Sequence, residues 1–196
     1  FTAGTKSASG NLTVSAGGKT LTVPVSIAGH VKTLEDCEGD LSAFVSGETV
    51  TASHVFLGNT ATSVDEVLLF LSEKAVELGI TDDVESTLEA FKNREAEGTT
   101  GMMEGFAIPH AKSDAINEAA VIVVKDESGV TGWDTMDGAP VNVAIALLIP
   151  GAQAGTTHLK ILSKVAEALM DEDFRATVKG STDAAEIAKT INARLV

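Results

Sequence analysis

Val143-Ala144-Ile145-Ala146-Leu147-Leu148-Ile149 is an unbroken aliphatic run of strand length. A strand with one face in water alternates apolar and polar residues, so a run that is apolar at every position predicts a strand covered on both faces. Ala120-Val121-Ile122-Val123-Val124 predicts a second strand of the same kind. Between the two, Asp126-Glu127-Ser128-Gly129 and Asp137-Gly138 are turn chemistry, rich in residues that hydrogen-bond their own backbone or tolerate positive φ.

Elements that cover such strands should lie on either side of them in the chain, and helical patterns do. Ser63-Val64-Asp65-Glu66 has the spacing of a capping box, and Val64, Val67, Leu68, Leu71, Ala75 and Leu78 then share one helical face until Gly79. A second helix is predicted from Asp82 to Gly98, burying Val84, Leu88 and Phe91. The last third of the chain is helical as well, with one stripe at Leu159, Leu162, Val165, Ala166 and Leu169 and another at Ile187, Ile191 and Leu195. Capped helices alternating with buried strands make the fold class α/β.

The first fifty residues have a different texture, rich in Gly, Ser and Thr. Leu12-Thr13-Val14-Ser15 and Leu21-Thr22-Val23 alternate apolar with polar residues around Gly17-Gly18, which predicts a β-hairpin. Ser26 to Leu34 is expected to form a short helix and Leu41 to Val50 an extended segment. The change of texture sets the expected boundary near residue 52, with a small β-rich segment over 1–51 and the main domain over 52–196.

Apolar residues are 44% of the 196, enough to fill a sizeable core, and aromatics are only 4%, so aliphatic side chains must build it. The longest apolar stretch, Val141 to Ile149, is far short of the roughly 20 residues of a membrane-spanning helix, and Phe1 to Gly10 lacks a signal-peptide pattern. A cytoplasmic protein with no direct membrane insertion is the expectation. The net charge of −14 argues against a nucleic-acid partner, since phosphate backbones are held by clustered Lys and Arg. Cys37, the single cysteine, sits between acidic residues that disfavour a thiolate.

Two of the four histidines fall at ends of predicted elements. His110 follows Phe106-Ala107-Ile108-Pro109, where a proline that cannot donate to a sheet should close a strand, and His158 lies in the first turn of a helix. A neutral imidazole is a nitrogen nucleophile near neutral pH, so a phosphoryl relay built on histidine needs no cofactor. The protein must supply partners for the phosphoryl oxygens, and Arg94, with its permanently charged fork, suits that task. The four histidines show no spacing of three or four residues, so no metal site is predicted.

The stretch from Arg94-Glu95 through Gly98-Thr99-Thr100-Gly101 to Gly105-Phe106-Ala107-Ile108-Pro109-His110-Ala111-Lys112 resembles the phosphorylation-site signature of the fructose/mannitol (type 2) class of enzyme IIA of the bacterial sugar phosphotransferase system, closest to the fructose type. Downstream, Trp133-Asp134, Asp137-Gly138, Pro140-Val141, Leu147-Leu148-Ile149-Pro150 and Thr157-His158-Leu159-Lys160-Ile161-Leu162 resemble the family's later landmarks in the same order. Met103 and Phe106 depart from its commoner residues.

The resemblance implies a mixed β-sheet with helices on both faces. It implies phosphorylation of His110 with His158 and Arg94 assisting. It further implies phospho-HPr as donor, a cysteine of an enzyme IIB domain as acceptor, and the membrane permease IIC as an indirect partner. A regulatory IIA-like module, of the nitrogen-related or transcription-regulator kind, is the alternative, because its phosphorylation would use the same site.

Overall fold

A computed structural model describes residues 8–16, 19–27, 49–151 and 156–195, with side chains over 49–151 and 160–195. The chain divides into two compact units, Phe1–Leu41 and Ser42–Val196. In the first, β1 (Ala8–Ala16) and β2 (Lys19–Ile27) form the predicted antiparallel hairpin, with Ala16 opposite Lys19. The helix expected from Ser26 does not start there: Ser26 and Ile27 pair with Ser9 and Ala8 in β2, because the alternation of Leu21, Val23 and Val25 continues through Ile27. Its remainder, and the extended segment over 41–48, lie outside the described residues.

Among the described residues, the second unit holds one five-stranded sheet and five helices longer than a single turn. The strands are β3 (Val55–Asn59), β4 (Phe106–Ala107), β5 (His110–Ser113), β6 (Ala120–Val130) and β7 (Val141–Pro150). The helices are α1 (Val64–Glu77), α2 (Val84–Glu97), α3 (Thr156–Ala168), α4 (Glu172–Gly180) and α5 (Ala184–Leu195). β3 runs parallel to β6, β6 antiparallel to β7, and both β4 and β5 parallel to β7 along its other edge. The sheet is therefore mixed.

The aliphatic runs have their meaning in the pleat, which sends successive side chains to opposite faces. Ile122, Val124, Ala144, Ala146 and Leu148 share a cluster with Leu68 and Leu71 of α1 and Phe91 of α2. Val121, Val123, Val143, Ile145 and Leu147 share the other with Val165 of α3, Phe174 and Val178 of α4, and Ile187 and Ile191 of α5. Helices cover both faces, which is why Val121 to Val124 and Val143 to Ile149 are apolar at every position.

Local chemistry places the helix ends. Ser63 Oγ accepts from Glu66 N–H at 3.3 Å, and Glu66 Oε2 reaches back to Thr62 N–H at 2.6 Å, one residue further out than in the usual reciprocal box. At the far end Ile80 N–H bonds Ala75 O and Gly79 N–H bonds Val76 O, closing α1 around Gly79 at φ 75°. Asp83, not Asp82, caps α2, through Ser86 N–H at 3.1 Å. Val84 and Leu88 are only half-buried, and Thr87 takes the inner position because its hydroxyl is satisfied by Asp83 O at 2.8 Å.

Two further features depart from expectation. Asp126-Glu127-Ser128-Gly129 is not a turn between strands but an irregularity inside β6, where the register shifts between Lys125 and Val130. Asp126 Oδ1 accepts from Ser128 N–H at 2.9 Å and Gly129 N–H at 3.0 Å, so the turn chemistry folds a bulge, and the chain reverses at Asp137-Gly138 instead. α4 is a separate helix between the two predicted stripes, started by Asp171, whose carboxylate accepts from Phe174 N–H at 3.2 Å.

Residues before 52 also belong to this core. Val50 is fully buried, and Asn192 of α5 accepts from Thr49 N–H at 3.1 Å and Val50 N–H at 3.0 Å while donating to Val50 O at 2.7 Å. A chain starting at residue 52 should therefore unfold about 3 kcal/mol more easily in urea than one starting at residue 49, from one buried valine and three hydrogen bonds. Equal unfolding midpoints would show that this tie contributes nothing.

Candidate functional site

The site grows from a break in the edge of the sheet. β4 and β5 lie on the same side of β7, separated by Ile108 and Pro109. Pro109 has no N–H for the ladder, although its carbonyl still accepts from Leu147 N–H at 3.0 Å, and Ile108 N–H turns away to Thr100 O at 3.0 Å. The chain re-enters the ladder at His110, opposite Leu147. His110 thus opens the second short strand, where the sequence placed it at the end of the first.

Its half-buried ring is held at both nitrogens. Nδ1 lies 3.0 Å from Ile108 O, and Nε2 lies 2.7 Å from Arg94 Nε. A guanidinium only donates, so Nε2 must present its lone pair, and Nδ1 carries the proton that goes to the Ile108 carbonyl. Burial pushes the His110 pKa below the ordinary imidazole value; the Ile108 carbonyl opposes that, the Arg94 charge adds to it, and Glu95 and Glu97 oppose it more weakly. The ring is a neutral base with one lone pair.

Arg94 arrives from the last turn of α2 and also donates from Nη1 to Gly98 O at 2.8 Å. Glu95, the next residue, turns toward the loop after the helix. Its Oε1 accepts from Thr100 N–H at 3.0 Å and Trp133 Nε1–H at 3.1 Å, and its Oε2 accepts from the Thr100 hydroxyl. The loop is pressed against residues 133–135: a Cβ on Gly101 would stand 2.2 Å from Asp134 O, and Thr99 Oγ1 donates to the same oxygen at 2.6 Å. Only glycine permits that approach.

A cleft of about 600 Å³ opens beside β5, lined by Asn93, Arg94 and Glu97 of α2, His110, Lys112 and Ser113 of β5, Ile149 of β7 and Leu162 of α3. His110 and Arg94 therefore meet in one cleft. His158 lies in the first turn of α3, four residues before Leu162, and its side chain is outside the described residues. His54 stands apart on a single helical turn over Ala52–His54, with burial lowering its pKa against the pull of Glu118. His30 and Cys37 are outside the described residues. Among the described residues no three His, Cys, Asp or Glu side chains are grouped as a metal site, and no helix is long and apolar enough to cross a membrane.

Sequence reasoning quoted Glu95 and Trp133 as landmarks but gave neither a job. The signal was their company, an acidic residue beside the site arginine and a lone tryptophan needing a partner for its N–H.

The family model for the phosphoenolpyruvate-dependent sugar phosphotransferase system, EIIA 2, matches residues 48–194. The fructose-specific EIIA component of Haloferax volcanii is 41% identical over 106 residues, 54% of this chain and 68% of that protein. Two other curated relatives, EIIABC components of Escherichia coli and Bacillus subtilis, are longer polypeptides, of which the chain spans 20% and 17%. Among solved structures, the nitrogen regulatory protein IIA-Ntr from Neisseria meningitidis superposes with a TM-score of 0.68 at 26% identity, over 75% of this chain and 99% of that one. Enzyme IIA of the mannitol system of Escherichia coli, in its complex with phosphorylated enzyme IIB, has the same fold at a TM-score of 0.62 and 21% identity, over 74% and 97% of the two chains.

Proposed function

Since the chain belongs to the EIIA type 2 family of the phosphoenolpyruvate-dependent sugar phosphotransferase system, we propose that it takes a phosphoryl group from phospho-HPr onto Nε2 of His110. It then passes the group to a cysteine of an enzyme IIB domain during sugar uptake. The carrying observation is the imidazole itself, neutral and fixed, with its single lone pair at a cleft wall. The likeness to a fructose-specific component and to a mannitol IIA that binds phosphorylated IIB supports the direction of transfer.

The chemistry needs no proton to be removed from the nucleophile. As Nε2 forms its bond to phosphorus, the nitrogen–phosphorus bond of the donor histidine breaks and its electron pair returns to the donor. Nδ1 keeps its proton on Ile108 O throughout, which disperses the positive charge that the ring acquires. Arg94, now on Nε2, must release the lone pair, and its fork is then beside the equatorial phosphoryl oxygens. In the forward step a thiolate attacks the phosphorus and the electron pair returns to Nε2. We assign His158 to those oxygens as well, since its position on α3 is one turn from Leu162 in the cleft wall.

Incubation with phosphoenolpyruvate, enzyme I and HPr, followed by mapping, tests the reading directly. The phosphate should be acid-labile, base-stable and on His110, and its location on any other residue would refute the assignment. The structural likeness to IIA-Ntr keeps a regulatory role as a second reading, in which the same phosphohistidine controls partner binding. Rescue of sugar uptake in cells lacking a IIA component separates the two.

The lowered His110 pKa makes a prediction about pH. With enzyme I and HPr in excess, the rate of phosphoryl acceptance should stay level from pH 8 down to about 6.5, the ordinary imidazole value, and fall only below it. A decline that begins above pH 7 would contradict a depressed pKa. The same shift affects stability with a definite sign: as pH falls, the unfolded chain takes the proton first, so stability drops from about pH 6.5 until the folded pKa is passed.

A further inference from the structure

We infer that Glu95 is a positioning residue for the proposed phosphoryl transfer, selecting the nitrogen of His110 that attacks through a continuous chain of three hydrogen-bonded links. The inference rests on His110 being the acceptor. Glu95 holds the Thr100 N–H, Thr100 O holds the Ile108 N–H, and Ile108 O holds the Nδ1–H of His110, at 3.0 Å in each case. The carboxylate and the imidazole do not bond each other. They are joined through the backbones of Thr100 and Ile108.

The anchor is firm because it satisfies donors with little access to water. Thr100 is 4% and Trp133 5% exposed, and the one carboxylate serves the Thr100 amide, the Thr100 hydroxyl and the Trp133 indole N–H. Donors so placed cannot lose their acceptor without the loop moving to find another. Ile108 N–H has left the sheet at the proline break and depends on Thr100 O instead of on β7. If Thr100 shifts, the Ile108 peptide loses the bond that orients it, and its carbonyl no longer meets Nδ1. Arg94 Nε–H then alone keeps the proton off Nε2, so whenever that side chain swings away the ring can carry the proton there, and a protonated Nε2 has no lone pair for phosphorus. Arg94 guards one side of the ring and Glu95, its neighbour in the chain, sets the other.

Nitrogen chemical shifts of the His110 ring, measured on the full unphosphorylated chain near pH 8, read the tautomer without any transfer. The unaltered protein should show a protonated Nδ1 and a bare Nε2. Glu95→Gln keeps the size of the side chain but has one acceptor oxygen where three donors converge. It should show a mixture of tautomers and a kcat for phosphoryl acceptance about 10- to 100-fold lower, with KM for phospho-HPr changed less than about twofold. Asn192→Ala, which breaks a remote tie, should leave the ring signals unchanged and controls for general loosening. Glu95→Ala should be at least as severe, and if it does not fold, Glu95→Gln decides alone. An unchanged ring spectrum in Glu95→Gln would overturn the inference, as would an unchanged kcat. Failure of the unaltered chain to be phosphorylated on His110 would instead refute the function, and the ring spectrum distinguishes the two results.

Discussion

Replacing His110 with alanine should abolish phosphorylation by phosphoenolpyruvate, enzyme I and HPr, reducing incorporated phosphate from one group per chain to background. The covalent step disappears with the nucleophile, so no residual rate from binding or orientation remains. The fold should survive, because the ring is half-buried and lines, with Arg94, a cleft wide enough for water, which can enter the space the ring leaves and reach Arg94 Nε and Ile108 O. Phosphate still entering His110→Ala at a normal rate would remove this histidine from the mechanism. The assisting residues should behave differently in the same assay. Arg94→Lys retains charge but loses the fork, and His158→Ala removes the side chain proposed as a partner of the transferring oxygens. Each should slow transfer by a few kcal/mol of transition-state stabilisation at most, about 10²- to 10³-fold, without abolishing acceptance.

Phe91→Ala is expected to have the largest effect on stability. Phe91 is 1% exposed and packs in the cluster formed by α1, α2 and one face of the sheet. Removing a buried phenylalanine side chain costs about 3–5 kcal/mol, because lost transfer energy adds to the cavity left behind. Against a total of about 5–15 kcal/mol that is a large fraction, readable as a lower urea midpoint at unchanged slope. The consequence extends to the site, since Arg94 and Glu95 follow three and four residues later on the same helix. A loss below about 1.5 kcal/mol would mean that the surrounding side chains close over the gap and that Phe91 does not anchor α2.

How much was legible in the sequence differs from element to element, for physical reasons. α1 was readable nearly to the residue, because Ser63 caps it and Gly79 ends it through bonds to near neighbours in the chain. β6 and β7 were readable as covered strands because burial on both faces leaves their central residues apolar without alternation. The Asp126 to Gly129 segment was misread, since an aspartate bonding two following amides looks alike in a turn and in a bulge, and only the partner strand shows which it is. α4 was missed as a separate element because it is nine residues long, and one of its inward positions is an arginine. Arg175 is 8% exposed but is held by Glu104 at 2.8 Å and Leu169 O at 2.6 Å, partners 71 and 6 residues away.

The candidate site divides in the same way. By itself the sequence determined the covered strands and the capped helices, which are written in spacing between near neighbours, and by resemblance it pointed to the family and to His110 and Arg94 as candidates. Tertiary structure alone decided that these two side chains meet, across 16 residues, and which ring nitrogen keeps its lone pair. It alone put Glu95 beside Trp133, 38 residues on, and linked that pair through Thr100 and Ile108 to the ring. Periodicity and capping report which face a residue occupies, whereas a hydrogen bond of 3 Å depends on where loops close and how strands register, and that is fixed only when the whole sheet is assembled.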